Sequence, residues 1–552
     1  MRIWTNARIL LGLFLAGLAG YVFGIADPDM LVSDPAPQAV PTVPQHVNTI
    51  FVPLDLETHV MQVSRRGTGG GVGEYRGAPV VIAHTGQIAT LVNGVLQETP
   101  ILAPVSGYQD LAARLSTDMA KAAGQTMNHD WFRFSDVLVV SDPLGGSGHH
   151  VLLVAYTEWQ PERVCYGTVL AGLPIDADVD TLLQMKAGPA DWRVLFRTEP
   201  CLGLLDRGDV ISPQMAGGRL VDLGDGTVGL TSGDHNFDGV TAPGAPLAQA
   251  DWGHYGRLLE IDLLTGQATE LARGLRNPQG LVADGQGRFW AIDHGPRGGD
   301  ELNLVRRGAN FGWPDVTLGT RYDGQPWPST GAYGRHDAHE PPAFAWLPSV
   351  GLSALERIDG VHPAWDGDLI AGSLKGQSLH RIRVRDGRVL FSEQIRIGQR
   401  IRGIRQLSGG RLALWTDHQR LILVRAGAGG HVQQAITAFI EDLEAAESLK
   451  HGLGEAIAGC QQCHGFEPGE HAGAPNLGRI AGAPIAAEPG FAYSAALAER
   501  EERWSSATLS AFIDDPSTFA PGTTMPDPGV DDPALLKALV ALLHHTAGAQ
   551  QP

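Results

Sequence analysis

Gly218-Arg-Leu-Val-Asp-Leu-Gly-Asp-Gly-Thr-Val-Gly-Leu-Thr231 reads as a β-hairpin: a strand, a Gly-rich turn and a second strand. Gly280-Leu-Val-Ala-Asp-Gly-Gln-Gly-Arg-Phe-Trp-Ala-Ile-Asp293 has the same plan, and so does Gly403-Ile-Arg-Gln-Leu-Ser-Gly-Gly-Arg-Leu-Ala-Leu-Trp-Thr-Asp417. The three stretches begin 62 and then 123 residues apart, nearly one and two units of a single period. That spacing predicts radially repeated four-stranded blades across roughly residues 50–426. A β-sandwich would carry the same local signals. A parallel α/β fold is disfavoured, because no long amphipathic helix interrupts the region.

The whole chain has 552 residues, long enough for about three to four domains. Apolar residues are 43% and charged residues 18%, which excludes a mostly disordered chain. Acidic residues outnumber basic ones by 60 to 41, a net charge of −19. That argues against nucleic acid or anionic lipid as the main partner, and leaves a small neutral substrate or a basic protein. At the N-terminus, Arg2 and Arg8 lead into an apolar run at residues 9–26, followed by acidic, Pro-rich sequence. Positive flank, apolar core and negative flank predict an export segment, either a cleaved signal peptide or a retained membrane anchor. Both place the remainder in the periplasm or on the outer face of the cytoplasmic membrane. Residues 27–48 read as a Pro-rich tether.

Beyond residue 430 the pattern turns helical. Residues 429–451 read as a linker helix or as the first helix of the next unit. Then comes Cys460-Gln-Gln-Cys463-His464, the spacing by which two thiols hold one haem c while the adjacent His reaches the iron. A zinc site would need further close Cys or His ligands, and no second CxxC exists. Met525, on the loop Pro521-Gly-Thr-Thr-Met525-Pro526, is the expected second axial ligand, with His471, His544 and His545 as alternatives. Thioether ligation favours electron transfer. Residues 452–547 resemble a class I cytochrome c, through these motifs together with Ala474-Pro-Asn-Leu477, Tyr493-Ser494, Trp504 and a closing helix. The resemblance implies that Pro475 supports the proximal side and that Tyr493 and Trp504 line the haem.

The blade region carries Leu275-Arg-Asn-Pro-Gln-Gly280, Asp293-His-Gly-Pro-Arg-Gly-Gly-Asp-Glu-Leu-Asn303, Gly308-Ala-Asn-Phe-Gly-Trp-Pro314, Gly372-Ser-Leu-Lys375 and Gln399-Arg-Ile-Arg402. Over about residues 208–425 these resemble the soluble, pyrroloquinoline-quinone-dependent sugar dehydrogenases, the glucose and sorbosone dehydrogenase family. The resemblance implies a six-bladed β-propeller over residues 49–428, followed by an all-α cytochrome domain at 452–548. The quinone bears three carboxylates, so its pocket needs convergent cations and amides. Arg276, Asn277, Lys375, Arg400 and Arg402 stand at the family's quinone-contacting positions. The carbonyls of Gly295 and Pro296 would supply part of a calcium shell, and Asp300 would buttress the site. The family's proton-accepting His is here Met215, which has no useful basicity. His235 and His294 are weak substitutes, and His149, His150 and His254 are more remote ones.

Cys165 and Cys201 lie 36 residues apart and are expected to pair in an oxidising compartment. Two functions follow. One is an exported dehydrogenase of sugars or alcohols that passes electrons from the quinone to haem c and on to a redox carrier. The other is an electron-transfer cytochrome whose propeller is a non-catalytic docking module.

Overall fold

A computed structural model describes residues 45–50, 52–63, 67–115, 132–143, 147–203, 212–242, 244–284, 287–327, 334–427, 431–461, 463–466, 474–488 and 491–549. The expected export segment, nearly all of the tether, and His471 lie outside the described residues.

Six sheets form the blades, antiparallel but for one short parallel pair in the third, Ala272 and Arg273 beside Ala309 and Asn310. The first is Gly71–Tyr75, Ala78–Ile82, Gln87–Val92 and Val95–Leu102. The second is built on Phe134–Ser141, His150–Gln160 and Cys165–Ile175, with Arg193–Arg197 and Leu202–Gly203 both pairing with the last of these. The third to fifth begin with Gly217–Gly224, Pro278–Ala283 and Leu352–Arg357. The sixth comprises Ile401–Leu407, Arg411–Thr416 and Arg420–Ala426. The first strands of successive blades adjoin in a closed ring, sixth against first included. The three quoted hairpins are the inner and second strands of the third, fourth and sixth blades, so 62 residues is one blade and 123 is two.

Leu54–Val60 comes from the N-terminal side and pairs with Arg420–Ala426, from Leu54 opposite Ala426 to Val60 opposite Arg420. One sheet therefore holds both ends of the propeller, and the ring is closed by seven paired residues, with Gln45–Val47 added outside them on Leu54–Leu56 as the edge strand. Each blade is covered on both faces by its neighbours. Its middle strands therefore need apolar residues on both sides, and His150–Gln160 is buried along most of its length. Trp290, Trp365 and Trp415 fill the space between sheets and are fully buried. At about 1.5–3 kcal/mol per large apolar side chain, this packing is the main stabilising term.

The C-terminal part is helical: His431–Asp442, Glu447–Gln461, Ala495–Ala498, Ser506–Asp514, Pro516–Phe519 and Pro533–Ala549. Ser505 caps Ser506–Asp514 by a reciprocal pair with Thr508, and Asp515 caps the helix that follows. The first, second and fourth of these helices pack on Pro533–Ala549. Val432 and Ile436 are buried in the same core as Leu453, Ile457, Leu539 and Leu543. The stretch expected to be a linker or a first helix is thus two helices, and the earlier one is part of the helical core. Among the described residues no helix is long and apolar enough to cross a membrane.

Candidate functional site

Five cations gather where the inner strands of the propeller begin. Hydrogen bonds tie these strand starts to one another around the ring. Gly70 N–H donates to the Phe134 carbonyl, Gly217 N–H to Asn277 Oδ1, and Ser353 Oγ to the Ile401 carbonyl. Arg219 spans three of them, donating to the carbonyls of Gly70 (3.2 Å) and Ser135 (2.7 Å).

Arg402 binds Asp417 through two bonds of 2.7 and 2.9 Å, and Arg400 adds a third of 3.0 Å. Burial opposes ionisation of Asp417, but the charges and hydrogen bonds of Arg402, with Arg400 beside it, hold its carboxyl down at about 2. Arg133 and Arg219 lie in the same field, and burial lowers both; Arg219 falls to about 10. Asp136 stands 3.9 Å from Arg219, and burial raises it. Four guanidinium groups therefore share two carboxylates. Arg276, on the fourth blade, donates to the carbonyls of His294 and Gly295, each at 3.0 Å, and its guanidinium lies over the Trp313 ring. The Nε atoms of Arg219 and Arg276 are buried with no hydrogen-bond partner. A buried, under-neutralised guanidinium cluster with orphaned donors suits a polyanionic ligand.

Asp300 organises the neighbouring wall. It is fully buried, and it accepts from the backbone N–H groups of Gly295 (3.1 Å), Val350 (3.0 Å), Gly351 (2.6 Å) and Leu352 (3.2 Å). This one carboxylate fixes the Gly295 loop against the start of the fifth blade. Asp293 likewise accepts from the N–H groups of Arg276 and Asn277, and burial raises it to about 6. Lys375 is exposed on the loop next to Gly351 and has no ion pair among the described residues. The quinone-site candidates Arg276, Asn277, Asp300, Lys375, Arg400 and Arg402 thus lie at neighbouring strand starts of the fourth, fifth and sixth blades, around the mouth of the propeller. The Gly295 carbonyl is engaged by Arg276, which leaves its second lone pair and the Pro296 carbonyl for a cation. Among the described residues no group of three or more His, Cys, Asp and Glu is gathered to hold a metal.

Met215 is buried on the turn that precedes Gly217–Gly224. A Cβ on Gly233 would stand 1.8 Å from its carbonyl oxygen, so Gly233 is required there. His235 packs edge-on between Tyr166 and Tyr255, and burial lowers its imidazole to about 3. That makes it a poor proton acceptor. His294 is half-buried, in the field of Asp300, Arg276 and Arg402. His254 accepts from the Glu199 N–H, His149 faces Asp176 and His150 lies against Tyr75. Sequence reasoning missed Arg133, Arg219, Asp136, Asp293 and Asp417. The last two end two of the hairpins quoted above, and that shared Asp was a usable signal.

Cys165 and Cys201 form a disulfide within the second blade. Cys460, half-buried, and Cys463, exposed, are free thiols at the end of Glu447–Gln461. Burial pushes the Cys460 thiol up to about 11, the opposite of what a redox dithiol needs. His464 Nδ1–H donates to the Pro475 carbonyl at 2.6 Å, which fixes the tautomer and leaves Nε2 for a metal. Cys460, Leu477, Tyr493 and Trp504 belong to one apolar cluster, and Tyr493 Oη accepts from the Glu488 N–H. Met525 is half-buried on its loop. His544 bonds Ser506 and His545 packs on Phe439, so both serve helix packing. This donor set fits haem c.

Residues 149–425 match the glucose/sorbosone dehydrogenase family, and the chain belongs to it. The aldose sugar dehydrogenase YliI of Escherichia coli is 32% identical over 242 residues, covering 41% of this chain and 62% of the relative. The chain spans about three fifths of the length of this relative and of a Synechocystis protein, slr1608, that is 33% identical over 254 residues, 62% and 59%. The C-terminal region is homologous to cytochrome c: the Sesamum indicum protein is 35% identical over 85 residues, 15% of this chain and 77% of that one. In fold, the propeller is like the crystal structure of the soluble aldose sugar dehydrogenase of Escherichia coli in its apo form. The TM-score is 0.52 and the identity 22%, over 67% of this chain and all of the other.

Proposed function

We propose that the protein is an exported quinohaemoprotein, in which a sugar or alcohol is oxidised at the propeller mouth and haem c passes the electrons to an external redox carrier. The observation that carries this reading is the cluster of Arg133, Arg219, Arg400 and Arg402, four guanidinium groups that share the carboxylates of Asp136 and Asp417. Arg276, Arg400, Arg402 and Lys375 would hold the carboxylates of pyrroloquinoline quinone, with the Asn277 amide beside them. The Gly295 and Pro296 carbonyls would bind Ca2+, a hard ion suited to neutral oxygen donors. The quinone when bound supplies a two-electron acceptor, and haem c supplies a one-electron relay. The chain's own residues set orientation. Asp293 and Asp300 fix the backbone that presents Arg276, Asn277 and Gly295, and Asp417 aligns Arg400 with Arg402. Covalent tethering keeps a haem at high effective concentration near the mouth.

The Cys165–Cys201 disulfide is in keeping with an oxidising compartment. Residues 9–26 would export the chain to the periplasm and be cleaved, or hold it to the outer face of the cytoplasmic membrane. Cell fractionation with N-terminal sequencing of the mature protein decides between these two.

The deciding experiment adds sugars and alcohols to the haem-loaded protein supplied with quinone and calcium, and follows haem absorbance. Haem reduction that requires quinone, calcium and substrate together is the expected result. Met215 favours a second reading, a non-catalytic propeller that docks a partner for the cytochrome. No reduction in the presence of a dithionite-reducible haem would select it. If only the base is missing, Met215→His should raise turnover by about 10²-fold or more.

A further inference from the structure

Arg133 immediately precedes the inner strand Phe134–Ser141 of the second blade. It is 8% exposed. Its Nη1 donates to the carbonyl (3.2 Å) and hydroxyl (3.0 Å) of Thr68. Its stem lies on Gly69 so closely that a Cβ there would stand 2.4 Å from Arg133 Cδ. These contacts hold one nitrogen of the guanidinium and fix the direction of the side chain. They supply no negative charge. Arg133 has no ion pair among the described residues. The carboxylate in its field is Asp417, already held by Arg400 and Arg402. Arg219, the other cation beside it, uses Asp136. A buried guanidinium held by neutral oxygens has no counter-charge of its own, so an anion that reaches it gains a charge-assisted contact. Its planar fork matches a carboxylate through two parallel bonds.

We propose that Arg133 is a carboxylate-binding residue of the propeller mouth, which extends the anion site from the fourth, fifth and sixth blades onto the second. The inference rests on the quinone-site reading for where the ligand lies. The carboxylate comes either from the quinone or from an acidic sugar such as a uronate, and one set of titrations separates these sources.

The full haem-loaded chain is titrated with pyrroloquinoline quinone by tryptophan fluorescence, and with glucuronate and glucose by calorimetry in the presence of calcium. Arg133→Gln should weaken quinone binding by about 10- to 100-fold if the quinone supplies the carboxylate, the size of one charge-assisted contact. If the sugar supplies it, quinone binding is unchanged and glucuronate binding falls by a similar factor while glucose binding does not. No change in either ligand overturns the proposal. Arg133→Lys keeps the charge and loses the fork, so it should recover part of the loss. It becomes the deciding variant if Arg133→Gln does not fold, with a loss of about tenfold expected. If the unsubstituted protein binds no quinone, the quinone reading fails, and the glucuronate titrations alone decide the role of Arg133.

Discussion

Asp300→Asn is the sharpest test of how the mouth is held. The native carboxylate accepts four backbone N–H groups, three of them on Oδ2, and it is fully buried. A carboxamide has one acceptor oxygen. In its best orientation it keeps the bonds to Val350, Gly351 and Leu352 as weaker neutral ones, and turns an NH2 group toward the Gly295 N–H. One buried donor is then unsatisfied and faces another donor, while three charge-assisted bonds become neutral. Together these cost about 2–5 kcal/mol. With an unfolding entropy of about 2.1 cal/mol/K per residue, that lowers the melting midpoint of a domain this large by roughly 3–6 °C. The assay is thermal unfolding followed by tryptophan fluorescence, with the haem band recorded in parallel to report the helical unit separately. Quinone binding should weaken in the same variant, because the Gly295 loop is released from the fifth blade. A midpoint within 1 °C of the parent would refute the claim that Asp300 carries this junction.

The Cys165–Cys201 bridge closes a loop of 36 residues, so Cys201→Ser should destabilise the propeller by about 4 kcal/mol, and dithiothreitol should have the same effect on the parent. Burial, and then the charge of Asp293, raise Glu301 to about 8. A carboxyl raised in the folded state binds its proton more tightly there than when unfolded. Its contribution is therefore complete below about pH 4 and is lost as pH rises toward 8, at up to about 1.4 kcal/mol per unit. Melting midpoints should fall between pH 5 and 8, and Glu301→Gln should flatten that slope; Asp234 and Asp293, raised to about 7 and 6, will keep part of it. At the haem, Met525→His should lower the midpoint potential by on the order of 100 mV in a spectroelectrochemical titration, and an unchanged potential would remove Met525 as a ligand.

What could be read from the sequence follows what is local. The hairpins of the third, fourth and sixth blades were legible because the inner and second strands are joined by tight Gly turns within one short stretch. The second blade was not, because His150–Gln160 and Cys165–Ile175 are long strands buried on both faces, without alternation. The CxxCH string needs no tertiary context, whereas the pairing of His464 with the Pro475 carbonyl gives it an orientation that spacing cannot show. At the mouth, Arg400 and Arg402 stand out as a motif, but their anchor Asp417 is a hairpin away. Arg133 gave no signal at all, since its neighbours Thr68, Arg219 and Arg402 are brought to it only when the ring closes.

The pairing of Leu54 with Ala426 has a consequence for how the molecule is strung. Directly opposed residues of an antiparallel pair lie about 5 Å apart. The polypeptide therefore arrives at the propeller and departs from it at one corner of one blade. Only four residues separate Ala426 from the helix that opens the haem unit. Whatever precedes residue 45 and whatever carries the haem are thus two leads from a single terminal. The upstream lead enters on Gln45–Val47, which pairs with Leu54–Leu56 at the edge of this sheet, so a pull on it is taken up first in the same sheet from which the helical unit departs.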